Sequence, residues 1–178
     1  MTHASRNTTT GLTFERNTPI NKIFDFLPNN KVLMFASNAV MAKETGMLNW
    51  RDYVGNLPGL TYVGERNGRH PTIWNKNYIP DGAIIYNNTL YIIEKKYQQC
   101  VGTVDEKLTS GDFRRTMFEK LSKYFPIQIN NVKYLFILGE WFKADKYKDS
   151  IEYVRNKDSN VEFMFYDEKP PRNFFGVE

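Results

Sequence analysis

The sequence holds a single cysteine, Cys100, so neither an internal disulfide framework nor a cysteine-built zinc cage is open to it. A reducing setting, the cytoplasm, is the expectation. Histidine is almost as scarce. His3 stands in a polar N-terminal stretch and His70 lies between Arg69 and Pro71, which gives little basis for a histidine zinc site or for serine–histidine catalysis. No apolar run approaches the ~18 residues a membrane-spanning helix requires. Residues 1–10 lack the apolar centre of a signal peptide and read as a flexible polar tail. No Gly-x-x-x-x-Gly-Lys-Ser/Thr phosphate loop occurs, so ATP-driven chemistry is not expected. Internal repeats, low-complexity tracts and long linkers are also missing.

What is present suits one folded domain. The chain has 178 residues, of which 41% are hydrophobic and 15% aromatic, enough to build a sizeable core. The net charge is +4, unevenly spread: residues 1–93 carry +3, residues 94–157 carry +4, and residues 158–178 carry −3. A basic body with an acidic tail suits a polyanionic partner, although many ordinary proteins share that balance.

Along the chain the hydrophobic period changes. Residues 11–27 read as one or two short helices ending before Pro28. Val32 to Glu44, with Leu33, Met34, Ala36, Ala39, Val40 and Ala42, suits a helix better than a strand and closes near Gly46. Residues 49–60, broken by Gly55, Pro58 and Gly59, read as loop. Leu60–Val63 and Thr72–Trp74 are candidate strands, and Ile79–Tyr86 and Thr89–Gln98 are the clearest pair, joined at Asn87-Asn88. A helix follows within 103–124. It starts either at the capping-box spacing Thr103 to Glu106 or at Ser110-Gly111-Asp112, with Phe113, Met117, Phe118, Leu121 and Phe125 on one side. Tyr134–Leu138 reads as a strand buried on both faces, Ala144–Asn156 as an amphipathic helix with Tyr147, Ile151 and Val154 inward, and Val161–Tyr166 as a last strand. The tail with Pro170-Pro171 reads as irregular. The fold class is therefore mixed α/β, helices around a central sheet.

The hairpin carries the chemistry. With Asn87-Asn88 as a two-residue turn, Tyr86 faces Thr89 and Asp81 lands opposite Glu94. Side chains alternate, so Ile92, Glu94 and Lys96 share one face while Tyr91, Ile93, Lys95 and Tyr97 take the other. Two carboxylates opposed in this way repel each other unless they share a proton, take a cation from a base, or hold a metal. Hard oxygen ligands suit Mg²⁺, which commonly binds one or two carboxylates and completes its shell with water and substrate phosphate. An amine beside that site suits phosphodiester hydrolysis, where it would position or deprotonate the attacking water or pair with a phosphate oxygen. The bland alternative is a turn at Pro80-Asp81-Gly82 and a solvated Glu94/Lys96 face.

Pro80-Asp81, twelve intervening residues, then Glu94-Lys95-Lys96 has the form PD…(D/E)xK. On this motif the sequence resembles the PD-(D/E)XK nuclease superfamily, which includes many type II restriction endonucleases. The stretches 94–99 and 102–108 also resemble segments of small restriction-type enzymes. The resemblance implies a restriction-endonuclease-like αβββαβ core, with a central mixed sheet flanked by helices, over residues 60–166. Residues 11–59 would form an N-terminal helical part. It implies Asp81 and Glu94 as Mg²⁺ ligands and Lys96 as the catalytic lysine. Members often add an acid from an N-terminal helix: Glu15 has the look of that position, with Glu44 and Glu65 as competitors. Gln98 shares the Glu94/Lys96 face and is a possible additional site residue.

The function so implied is a Mg²⁺-dependent endonuclease on double-stranded DNA, of the type II restriction class. A homing, junction-resolving or repair nuclease of the same fold and a non-catalytic DNA-binding module are the alternatives. DNA contacts are expected from Lys107, Arg114 and Arg115 after the motif and from Arg69 in the loop before it, with an ordinary charged helix face as the competing reading of the helix residues. One site cuts one strand, so cutting both strands of a palindrome calls for a homodimer. Tyr53, Trp74, Trp141 and Phe142 are candidates for its interface and equally for the core.

Overall fold

A computed structural model describes residues 13–14, 16–28, 31–60, 79–98 and 108–178. The elements in chain order are α1 (Ile20–Ile23), β1 (Val32–Ala36), α2 (Ala39–Thr45), β2 (Leu48–Asn49), α3 (Trp50–Gly55), β3 (Gly82–Tyr86), β4 (Thr89–Lys96), α4 (Gly111–Ser122), β5 (Asn131–Leu138), α5 (Lys148–Lys157) and β6 (Val161–Phe165). The strands form one mixed sheet in the order β2-β1-β3-β4-β5-β6. β1, β3 and β4 run antiparallel to one another in turn as a meander, while β4, β5 and β6 are mutually parallel. The fold is thus mixed α/β, a six-stranded sheet with helices on its faces.

Each sheet face buries a different set of side chains, which is why the central strands read as continuous apolar runs. On one face Ile92, Tyr134, Phe136 and Phe163 meet Trp50 and Val54 of α3, Phe118 and Leu121 of α4, and Ile151 and Val154 of α5. On the other face Tyr91, Ile93, Leu135 and Ile137 meet Ile20, Phe24, Leu27, Phe174 and Phe175. Among the described residues no helix is long and apolar enough to cross a membrane.

The N-terminal part differs from what its local pattern predicts. Val32–Ala36 is a strand and not the start of a helix; it pairs with β3 through Phe35 and Ala83, a partner too distant in sequence for local pattern to reveal. The helix begins only at Ala39, after Asn38 accepts the N–H of Met41 at 3.1 Å, and it closes at Gly46 with φ of 73°. Residues 49–60 are not all loop. Asn49 accepts the N–H of Arg51 at 3.1 Å and opens α3, which buries Trp50 and Val54. Residues 11–59 therefore supply two strands of the sheet as well as helices.

Further along, Phe113 is 57% exposed and so leaves the inward row expected of it, while Phe118, Leu121 and Phe125 keep theirs. The tail is not wholly irregular: a 3₁₀ turn over Arg172–Phe175 lays Phe175 on Tyr91 with ring centroids 4.4 Å apart. Phe142 is buried, and Tyr53 and Trp141 pack partly buried against the same core. Of the candidate strand Leu60–Val63 only Leu60 is described, and it is not in a strand; the rest of it, the candidate strand Thr72–Trp74 and the capping box at 103–106 lie outside the described residues.

Close packing fixes where α4 begins. An added Cβ at Gly111 would sit 2.9 Å from Phe136 and 3.0 Å from Val161, so only glycine lets the first turn of α4 come down onto the sheet. The outer border of β6 is occupied by its own surroundings: Phe163 N–H donates to Glu162 at 2.8 Å, Arg155 donates to the Phe163 carbonyl at 2.8 Å, and Phe165 N–H donates to Glu168 at 3.2 Å.

Candidate active site

The hairpin forms as its turn residues dictate. Asn87 and Asn88 take φ of 47° and 57°, the left-handed conformation a two-residue hairpin turn needs and asparagine tolerates. The register runs from Tyr86 opposite Thr89 to Gly82 opposite Ile93, which brings Asp81 next to the end of β4. There Asp81 Oδ2 accepts the backbone N–H of Lys95 at 2.7 Å. This bond anchors the aspartate to the strand that carries Glu94 and Lys96.

Glu94 lies at the rim of the α4-side core, its side chain only 10% exposed. Its Oε1 pairs with Lys96 Nζ and also accepts from Arg114 Nη1 at 3.2 Å. Its other oxygen, Oε2, accepts the hydroxyl of Tyr134 at 3.3 Å from the neighbouring strand β5. Two cations and a hydroxyl thus offset the cost of burying this carboxylate. Burial, followed by the charge of Glu94, pushes the Tyr134 hydroxyl well above its ordinary range, so it stays protonated and donates. Asp81 raises it in the same direction, and Arg114 opposes both. Both carboxylates raise the Tyr134 hydroxyl, whose ring lies in the core on the side of the sheet that α4 covers.

Asp81, Glu94 and Lys96 are brought to one end of β4, as their spacing predicts. The other candidates fare differently. Glu15, Glu65, Lys107 and Arg69 lie outside the described residues. Glu44 is exposed on α2, at the β1–β2 side of the sheet. Gln98 lies just past β4 and lines an open cleft of about 850 Å³ with Phe14, Asn17, Tyr97, Glu140 and Trp141. Arg115 is tied into structure, pairing with Asp158 at 2.7 Å and with Glu119 one turn on. Arg114 reaches the carboxylate of Glu94 itself.

Two participants are not singled out by motif or spacing. Tyr134 reads as part of a buried strand, though a buried tyrosine hydroxyl signals a polar partner. Arg114 is expected from the sequence as a DNA contact and not as a partner of Glu94, whereas Gly111 three positions earlier marks where the helix end touches the sheet.

Among the described residues no group of three or more His, Cys, Asp or Glu side chains is placed to hold a metal. Asp81 and Glu94 supply the hard oxygen atoms that Mg²⁺ takes, an ion that keeps several waters and few protein ligands. Glu94 Oε1 faces two side-chain cations, Lys96 and Arg114, with which a metal ion would compete. No family model, curated protein or solved structure matches this chain.

Proposed function

We propose that the protein is a Mg²⁺-dependent endonuclease of the PD-(D/E)XK type, hydrolysing phosphodiester bonds of double-stranded DNA, and most specifically a type II restriction enzyme acting in the cytoplasm. The observation that carries the reading is the anchored Asp81 beside a buried Glu94 that is paired with Lys96 at the end of one hairpin. The run β3, β4, α4, β5, α5, β6 after residue 80, with β1 paired to β3 across the intervening α2, β2 and α3, is compatible with an αβββαβ core whose first strand comes from before residue 60.

In this reading Asp81 and Glu94 hold the ion, which supplies Lewis acidity toward a water and toward the charge developing on phosphorus. The backbone N–H of Lys95 keeps Asp81 in place. Tyr134 holds Glu94 from the neighbouring strand and orients its carboxylate. Lys96, an ammonium beside Glu94, would hold the scissile phosphate or the attacking water by donating to its oxygen. Water oxygen bonds to phosphorus and gives its proton to solvent, the bond to the 3′-oxygen breaks, that oxygen takes a proton from solvent, and the products carry 5′-phosphate and 3′-hydroxyl ends. A homodimer would bring two such sites to a palindrome.

The test is incubation of the full chain with a mixed DNA substrate and Mg²⁺. Discrete, metal-dependent fragments support the restriction reading, and a smear supports a non-specific nuclease of the same chemistry. Preference for branched over linear duplex favours a junction-resolving enzyme. DNA left intact at high protein concentration, yet bound with or without metal, overturns catalysis in favour of a binding module. Asp81→Ala, Glu94→Ala and Lys96→Ala should each abolish cutting.

A further inference from the structure

We infer that Arg114 is a further catalytic residue of this site: it is the counter-ion of Glu94 while the metal is absent, and a ligand of the scissile phosphate once the metal claims that carboxylate. This rests on the nuclease reading.

Four observations lead to it. First, Lys96 and Arg114 converge on the same oxygen, Oε1 of Glu94, so that oxygen carries more positive charge than its ion pairing requires. A divalent ion taking the oxygen must displace at least one of them. Second, Arg114 is the more solvent-reaching of the two, 29% exposed against 17% for Lys96, and so the one freer to meet a ligand from outside. Third, its placement is built into the packing. The missing Cβ at Gly111 seats the helix end against Phe136 and Val161, and Arg114 also bonds to the Tyr134 hydroxyl. Fourth, the adjacent Arg115 is committed to Asp158 and Glu119, so the helix directs one arginine into structure and the other into the site.

A guanidinium is the side chain suited to this exchange. It stays charged at any working pH, and its planar fork fits the two oxygens of a phosphate as well as those of a carboxylate. During hydrolysis negative charge grows on the non-bridging oxygens while the bond to the 3′-oxygen breaks. A cation already facing those oxygens lowers that barrier without reorganising.

Arg114→Ala and Arg114→Lys separate this role from a structural one. Two quantities are read on the full chain: Mg²⁺ affinity by calorimetry without DNA, and single-turnover cleavage at saturating enzyme and Mg²⁺. Arg114→Ala should bind Mg²⁺ about tenfold tighter, because a competing cation is gone, yet cut about 10²-fold slower. Arg114→Lys should recover part of the rate. Unchanged cleavage in Arg114→Ala overturns the proposal and leaves the nuclease reading standing. Loss of Mg²⁺ affinity together with rate makes Arg114 a structural strut and likewise overturns it. If the parent chain itself fails to cut, the nuclease reading falls and the phosphate role falls with it.

Discussion

The hydroxyl of Tyr134 donates to Glu94 at 3.3 Å across the parallel pair β4–β5. The pairing of Ile92 with Tyr134 places the ring one pleat back from the carboxylate, so the hydroxyl reaches forward along the sheet to meet it. The ring itself is fully buried and rests on Phe136 and Phe118, so its tip has little freedom to leave.

Tyr134→Phe removes that one hydroxyl and keeps the ring. The hydrogen bond is long, so a loss of about 1 kcal/mol in urea unfolding is expected. Cleavage should slow, because Glu94 loses its orienting partner. A variant that cuts at the parental rate would show that Glu94 needs no second anchor.

Gly111→Ala should reverse the usual sign of such a change. On a free helix the substitution stabilises by up to ~1 kcal/mol. Here the new methyl meets Phe136 and Val161 at 2.9 and 3.0 Å, so a loss of about 1–3 kcal/mol is expected. Because the helix end must retreat, contact between Arg114 and Glu94 should weaken too. Denaturant midpoints and Mg²⁺ affinity measure the two effects.

Metal binding is measurable without substrate. Mg²⁺ at a hundredfold excess over its Kd should stabilise the parent by about 2.7 kcal/mol. Asp81→Asn and Glu94→Gln should fold and show little of that gain. Thermal unfolding with and without Mg²⁺ decides this, and an equal gain in both variants would place the ion elsewhere.

The turn makes its own prediction. Asn87 adopts φ of 47°, and alanine there should cost about 1 kcal/mol in denaturant unfolding. A neutral result would mean that the turn relaxes to another form.

Asp112 sets a pH dependence. Its carboxyl is held below the ordinary range, first by the hydrogen bond from Lys157, then by the N–H of Phe113, with partial burial opposing. The native state thus binds the proton less tightly than the unfolded chain does. The pair stabilises above the unfolded carboxyl value, and the effect is lost as pH falls through the lower folded one. Asp112→Asn should therefore lower the urea midpoint at neutral pH but not at a pH acid enough to protonate this carboxyl in the native state as well.

The part of the fold visible in the sequence is the part governed by near neighbours. The Asn87-Asn88 turn sets the β3–β4 register from local sequence, and with it the arrival of Asp81 at the end of β4. The apolar run 134–138 fits only a strand covered on both sides. Val32–Ala36 misleads because Leu33, Met34 and Ala36 are good helix formers as well, and the deciding partner, β3, lies far along the chain. Phe174 and Phe175 are hidden behind Pro170-Pro171, since prolines mark the absence of regular structure but say nothing of what the next rings touch. Arg114 and Arg115 are indistinguishable as letters; one turns to Glu94 and the other to Asp158 because of where α4 begins, a matter of packing at Gly111.

An unprotected flank of a sheet invites other chains to add themselves to it. At β6 the main-chain groups that would welcome a newcomer are already engaged by Glu162, Arg155 and Glu168. That border is closed to strand-by-strand growth. Another copy of the chain could dock here only through side chains and not by extending the sheet, which leaves this flank as a guard against fibrous association.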